Sequence, residues 1–329
     1  MKLARKFVIF IVGISSAGSL AAQTADCLHR TVLVNILDSK NQIVNDARPE
    51  DLSGSFRHKP VKIAFVTPNS FLPRVFIVLD ASQSMTNRTP TWKYSIEAAN
   101  RLVDSMPAGT SVGMMIFAKN IEKTIPLGNS KEEIKVELEK LRVGNEPPVK
   151  DGRATVLWDA LDAAISQMLP AKEGDAIYAI TDGIDYGSKI DTKSVREAFL
   201  VARIRLFSFS VDNLENRPIL DSHVRFRDFQ YLASDSGGFA MRVPSMFLGT
   251  PRPLDDTDGR ATDEGEMLLA QFHQIFYYQR VGIVLRDPLE KAGEWSLNAK
   301  GKKFRDPRVI YPHILDACAE AKTAVNSAH

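Results

Sequence analysis

Five side chains with oxygen ligands occur in three short segments of the sequence. They are Asp80, Ser82 and Ser84, then Thr155, and finally Asp182. Two carboxylates and three hydroxyls form an all-oxygen set, which suits a hard divalent cation, Mg²⁺ before Mn²⁺ or Ca²⁺. These segments contain no nitrogen or sulfur ligand, which argues against zinc. Because Mg²⁺ takes six oxygens, five protein groups would leave a coordination position for an Asp or Glu carboxylate of a partner.

The elements predicted around these segments would bring them together. The continuous apolar run from Val75 to Leu79 is typical of a strand buried on both faces of a parallel sheet. Further strands are predicted at 112–117, 122–126, 176–181, 205–211 and 239–243, and helices at 92–105, 131–141, 156–169, 192–202 and 226–234. This alternation predicts an α/β fold with a doubly wound, mostly parallel sheet. Such sheets bind ligands at the carboxyl ends of their strands, where the three segments lie.

Shorter β-type patterns flank the α/β region. Strands are predicted at 31–37, 43–44, 52–56 and 61–66 on one side, and at 281–285, 294–299 and 308–311 after a helix at 263–278. A hairpin-like turn at 300–302 is expected to join the last two strands. We expect the two sets to pair into a small accessory β unit. The predicted organisation is a β segment at 27–70, the main domain at 73–279, which contains a loop at 244–262, and a β segment at 280–316.

The N-terminal residues have the pattern of a secretory signal peptide. Three basic residues precede an apolar run from Phe7 to Ile14, and small residues follow up to Ala22. We expect residues 1–22 to be cleaved, which would leave the chain without a transmembrane anchor. The mature protein would then be exported, either periplasmic or secreted. An uncleaved anchor is the alternative. The formal net charge of +2 gives no basic field that would indicate nucleic-acid binding.

Two cysteines, Cys27 and Cys318, stand near the two ends of the predicted mature chain. In an oxidising compartment such a pair is expected to form a disulfide that joins the ends. The alternative is two unrelated free thiols.

The three segments that carry the oxygen ligands resemble a known metal-binding site. Asp80-x-Ser82-x-Ser84, Thr155 before an Ala/Leu-rich helix, and then Thr181-Asp182-Gly183 are similar to the metal-ion-dependent adhesion site of von Willebrand factor A (VWA) domains. Residues 31–37, 49–51 and 278–285 also resemble the flanking strands of bacterial exported VWFA-related proteins.

The resemblance implies a role for each site residue. Ser82 and Ser84 would contact the metal directly, Thr155 would do so in one of two conformational states, and Asp80 and Asp182 would retain the ion through water or by charge. The family often has Gly-Gly before the threonine, whereas this chain has Arg153-Ala154. Arg153 would either lower metal affinity or receive an acidic partner.

Three functions are compatible with these residues. The first is an adhesion-like binding module that holds an acidic group of a protein or peptide through the metal. The second is a metal-free scaffold in an envelope assembly, in which the serines only cap a helix and Asp182-Gly183 is an ordinary turn. The third is a metal-assisted hydrolase. The sequence argues against it, because we find no Gly-x-Ser-x-Gly motif in the predicted mature chain, no His-Glu-x-x-His motif and no obvious general base beside the site. We therefore expect no enzyme activity. Asp185 is expected to be solvated or to support the site from behind.

Overall fold

The central element of the molecule is a six-stranded sheet. A computed structural model describes residues 27–86, 89–143, 154–211, 219–243, 263–301, 304 and 306–318. The strands of this sheet are β4 (Val75–Asp80), β5 (Val112–Phe117), β6 (Ile121–Asn129), β7 (Ala176–Thr181), β8 (Arg205–Val211) and β9 (Phe239–Val243). Their order is β6-β5-β4-β7-β8-β9, and only β6 runs antiparallel to its neighbour. The site-bearing strand β4 is therefore central and β7 lies beside it.

Within the described residues, seven helices accompany this sheet: α1 (Gln83–Thr86), α2 (Thr89–Ser105), α3 (Lys131–Val143), α4 (Leu157–Gln167), α5 (Thr192–Ala202), α6 (Ile219–Ser236) and α7 (Asp263–Phe276). Successive side chains of β4 point to opposite faces. Ile77 and Leu79 belong to an apolar core that includes residues of α2, α3 and α7, while Phe76 and Val78 belong to a second core that includes residues of α4, α5 and α6. This two-sided burial explains why β4 is apolar at every position before Asp80. The predicted doubly wound α/β fold is confirmed.

A second, antiparallel sheet of seven strands joins the two ends of the chain. Its strands are β1 (His29–Leu37), β2 (Leu52–Phe56), β3 (Lys59–Pro68), β10 (Gln279–Val284), β11 (Gly293–Ala299), β12 (Arg308–Ile310) and β13 (Ile314–Leu315). The order β12-β1-β10-β3-β2-β11-β13 interleaves N-terminal and C-terminal strands. The sheet buries its own apolar core, which includes Val34, Ile36 and Val281. The predicted accessory β unit is therefore confirmed.

The accessory unit is joined to the α/β domain at the C-terminal end of α7. Asn35 Nδ2, from β1, donates to the main-chain oxygens of Gln274 and Tyr277, at 3.0 and 2.6 Å. Arg205, at the start of β8, donates to the oxygens of Gln274 and Ile275. These bonds satisfy carbonyl groups that the end of a helix leaves without an intrahelical partner. They fix the position from which the chain enters β10.

A disulfide joins Cys27 to Cys318, whose Cα atoms are 5.6 Å apart across 291 residues of sequence. It connects the residues just before β1 to those just after β13. The Cys318 amide also donates to Leu289 O at 2.7 Å. The predicted cystine is thus present, and it closes the accessory unit.

Two of the predicted β features are wrong. Residues 43–44 do not form a return strand, and only an isolated bridge joins Ile43 to Leu37. The Asp38 carboxylate accepts from the amides of Lys40 and Gln42, so residues 38–42 form a turn, but the pairing after it ends at Val44, whose amide donates to Ile36 O at 2.8 Å. Residues 49–51, which resembled part of a flanking strand, form a 3₁₀ turn that begins with proline.

The turn expected at 300–302 does not close a hairpin either. β12 pairs with β1 rather than with β11, so the chain crosses to the opposite edge of the sheet. The signal-type segment at 1–22 and the loop expected at 244–262 lie outside the described residues. Among the residues that the structure describes, no helix is both long enough and apolar enough to cross a membrane.

Candidate metal centre

The site begins at Asp80, the last residue of β4, whose side chain is fully buried. The amide of Ala81 donates to Phe117 O at 2.7 Å, so the pairing with β5 continues one residue past the strand. The chain then turns, because Asp80 Oδ1 accepts from the Ser82 amide at 2.8 Å. The acid therefore holds the loop that carries both serines.

The two serine hydroxyls lie together. Ser82 Oγ is 3.1 Å from Ser84 Oγ, and Ser82 is buried. The Ser82 main-chain oxygen, rather than its hydroxyl, accepts from the amides of Met85 and Thr86 and so begins α1. This arrangement places a pair of hydroxyl oxygens beside a buried carboxylate, at the N-terminal end of α1.

The neighbouring strand β7 brings the second acid to the same place. Thr181 Oγ1, at the end of β7, donates to Asp80 Oδ2 at 2.7 Å and accepts from the Gly183 amide at 3.1 Å. Asp182 is buried, and its Oδ1 accepts from the Ile184 amide at 3.1 Å. Gly183 has φ +74°, a left-handed conformation that disfavours residues with a Cβ atom. The turn thus needs glycine directly after the acid.

The two acids act on each other electrostatically. Burial first, and the Asp182 carboxylate second, raise the pKa of Asp80 from 3.8 to about 7, although hydrogen bonds from Ser82 and Thr181 oppose the rise. The site therefore concentrates negative charge where little water can screen it. Carboxylate and hydroxyl oxygens around such charge are the groups that a hard divalent cation prefers, so the residues fit a Mg²⁺-type ion.

Thr155 reaches the same edge of the sheet through backbone bonds. The amide of Val156 donates to Ala118 O at 2.9 Å, just beyond the end of β5. The Tyr186 amide donates to Thr155 O at 2.9 Å, from the loop that follows Asp182. Thr155 is buried at 4% exposure. Its position is therefore set by the loops after β5 and β7.

Asp185 helps to hold this arrangement instead of facing solvent. Its Oδ1 accepts from Ser188 Oγ at 2.5 Å. Ser188 Oγ in turn accepts from the amides of Trp158 and Asp159, at 3.0 and 3.1 Å, at the start of α4. The pair thus caps the helix that follows Thr155, a supporting role behind the site.

The structure places Asp80, Ser82, Ser84 and Asp182 in one cluster and Thr155 at the same sheet edge. Arg153 lies outside the described residues. Sequence reasoning gave no separate role to Thr181, although it was part of the third segment. Its position as the last residue of a buried strand, directly before the acid, was the available signal.

Comparison with known proteins supports this architecture. The family model of the von Willebrand factor type A domain matches residues 75–184, which run from β4 to the loop after Asp182. A comparison with curated protein sequences found no match.

Several solved structures are similar at low sequence identity. One is the conserved hypothetical protein BatB from Bacteroides thetaiotaomicron, with 20% identity, a TM-score of 0.42, and coverage of 61% of this chain and 97% of that one. Another is the manganese-loaded TRAP protein of Plasmodium vivax, with 16% identity, a TM-score of 0.40, and coverage of 75% and 96%. A third is a von Willebrand factor type A protein from Catenulispora acidiphila, with 9% identity, a TM-score of 0.44, and coverage of 91% and 76%.

The family match begins at the strand that carries Asp80 and ends just after Asp182, and the sheet around it has the topology described above. Residues 75–184 therefore match a von Willebrand factor type A domain, and the strands on either side of them in the sequence add an antiparallel β unit.

Proposed function

We propose that the protein is an adhesion-like binding module that uses a divalent cation, Mg²⁺ first, to hold an acidic group of a partner protein or peptide. One observation carries the proposal. The buried carboxylate of Asp80 lies among the Ser82 and Thr181 groups and next to the charge of Asp182, at the carboxyl edge of the sheet. A divalent cation bound at this edge would relieve the repulsion between the two carboxylates.

The residues divide into two roles. Both Asp80 oxygens already accept hydrogen bonds, so this acid supplies negative charge and holds the serine loop. The hydroxyls of Ser82 and Ser84, 3.1 Å apart, are the groups that would contact the ion, with Thr155 and Asp182 completing the set. When bound, the cation would offer an exchangeable coordination position to a partner carboxylate. Arg153, two residues before Thr155, would add a bidentate hold on the same carboxylate.

We also propose that the protein is exported, periplasmic or secreted, and that it is not an enzyme. The basic and apolar pattern of residues 1–22 supports export. The Cys27–Cys318 disulfide supports an oxidising compartment. Cell fractionation with N-terminal sequencing of the mature chain tests export, and a panel of generic hydrolase substrates tests catalysis.

Thermal melting tests metal binding. A ligand that binds only the folded state adds about 2.7 kcal/mol at a hundredfold excess over its Kd. The melting temperature should therefore rise in Mg²⁺ or Mn²⁺ and return to its starting value in EDTA. Ser82→Ala with Ser84→Ala should abolish the rise. The matched control is Ser55→Ala with Ser296→Ala, which removes a hydroxyl pair 2.8 Å apart in the accessory sheet.

Partner capture tests the use of the metal. Mature protein immobilised in Mg²⁺ should retain a partner from an envelope fraction and release it in EDTA. Replacing one surface Asp or Glu of that partner should abolish retention. A complex that forms equally well in EDTA and survives Thr155→Ala would instead identify the domain as a metal-free scaffold.

A further inference from the structure

A cavity of about 270 Å³ lies between the accessory sheet and the end of the α/β domain opposite the candidate metal centre. Its walls come from β1, the loop before β7, the end of α5 and residues 312–316. The floor is apolar and includes Phe199 and Leu315, which are both buried. Its volume is close to the lower end of the range for small-molecule sites, roughly 300–1,000 Å³.

One wall of the cavity carries a buried charge with few partners. The Arg30 side chain is only 10% exposed. Its Nη2 donates to Asp316 O at 3.5 Å, its Nη1 is 3.7 Å from Asp316 Oδ1, and its Nε has no acceptor among the described residues. A guanidinium has five N–H donors, and a buried charge is costly unless it is paired and hydrogen-bonded. Arg30 is thus under-satisfied in this structure.

The acid nearest to Arg30 is shared with a second arginine. Arg203, at the end of α5, places its Nη2 3.0 Å from Asp316 Oδ2. The other two acids on the walls have cationic partners of their own, since Asp235 binds Arg196 and Glu173 binds Arg280. One carboxylate therefore faces two guanidiniums.

Another cation lies behind the same region. Arg205 is buried and donates to three main-chain oxygens, those of Gly174, Gln274 and Ile275. This charge adds to the excess of positive potential around an apolar floor.

The walls are held in place before any ligand arrives. Trp295 Nε1 donates to Pro312 O at 2.6 Å, and the His313 amide donates to Ser234 O at 3.1 Å. Two residues beyond Asp316, the disulfide at Cys318 fixes the end of this segment. Little ordering would therefore accompany binding.

We propose that this cavity binds a small organic carboxylate, one anionic group on a short apolar chain or ring. The carboxylate would accept from Arg30 and Arg203, and the apolar body would lie against Phe199 and Leu315. The site is separate from the metal centre and does not depend on it.

Calorimetry with hexanoate tests the proposal. The mature protein is titrated in EDTA, so that a carboxylate cannot be held by a metal ion. Hexanoate should bind saturably, while hexan-1-ol and hexylamine, which have the same apolar chain, should bind much more weakly. Arg203→Gln should weaken hexanoate binding about tenfold or more, since a charge-assisted hydrogen bond is lost.

Two further variants separate a ligand site from a general charge effect. Leu200→Trp, on the α5 wall, should block binding by filling the cavity without a change in charge. Arg142→Gln, which removes an exposed arginine on α3 that pairs with Glu139, should leave binding unchanged. Absence of saturable hexanoate binding, equal binding of hexan-1-ol, or full affinity in Arg203→Gln would overturn the proposal.

Discussion

Replacing Asp80 by asparagine should stabilise the metal-free protein, although the Asp80 side chain is fully buried. Asparagine has nearly the same shape and can still accept from the Ser82 amide. It carries no charge, so it removes both the cost of burying a carboxylate and the repulsion from Asp182. These two causes raise the pKa of Asp80 to about 7.

The expected gain follows from the pKa. A rise from 3.8 to about 7 corresponds to about 4 kcal/mol of unfavourable ionisation at a pH well above 7. The asparagine loses the carboxylate oxygen that accepts from Thr181, which costs about 2 kcal/mol. The net stabilisation is about 2 kcal/mol, or a rise in melting temperature of roughly 5 °C.

The sign of the pH dependence provides an internal control. The pKa of Asp80 is higher in the folded state than in the unfolded state, so ionisation of Asp80 destabilises the folded wild type. This cost is absent below pH ~4, where the carboxyl is protonated in both states, and it grows until the pH passes ~7. The advantage of Asp80→Asn should therefore be small at pH 5.5 and largest at pH 8.5.

The assay is thermal melting of both proteins in EDTA and in Mg²⁺ at the two pH values. In Mg²⁺ at pH 8.5 the order should reverse, because the wild type gains metal binding and the variant does not. If Asp80→Asn melts below the wild type in EDTA at pH 8.5, the electrostatic reasoning is refuted.

Three further predictions concern stability and the shape of the site. Replacing Cys27 and Cys318 by serine should lower stability by up to about 5 kcal/mol, measured by chemical denaturation, and an unchanged midpoint would contradict a structural role for the cystine. Gly183→Ala should lower the free energy of unfolding by about 1–2 kcal/mol, because residue 183 has a positive φ, and should weaken Mn²⁺ affinity. Equal affinity and stability of the variant would show that the turn tolerates a Cβ atom. Arg74→Ala should cost about 3 kcal/mol in urea unfolding, since it leaves the buried carboxylate of Asp175 without its bidentate partner, whereas a loss below about 1 kcal/mol would mean that water replaces the pair.

The α/β fold and the acidic site were predictable because both depend on local signals. A strand buried on both faces must be apolar throughout, so the run Val75–Leu79 is recognisable as such a strand. Asp80 then lies at its carboxyl end. The same holds for β7 and Asp182. Parallel strands then bring the two acids to one edge without further information.

The accessory sheet was predicted only in outline, because its register depends on contacts distant in sequence. The position of β12 beside β1, rather than beside β11, is set by pairing across some 270 residues, which no local pattern encodes. The roles of Thr181 and Asp185 were missed or underestimated for a similar reason. Thr181 acts on Asp80, and Asp185 acts through Ser188 on the amides of Trp158 and Asp159, so neither role follows from the residue type alone.

The most direct test of the central claim is a crystal structure of the mature protein grown with Mn²⁺, with anomalous diffraction recorded at the manganese edge. We expect one strong anomalous peak per chain, in contact with the hydroxyl oxygens of Ser82 and Ser84, and its loss in the Ser82→Ala, Ser84→Ala variant. A wild-type crystal without an anomalous peak at this position, under Mn²⁺ concentrations that saturate known VWA sites, would contradict the metal-dependent account.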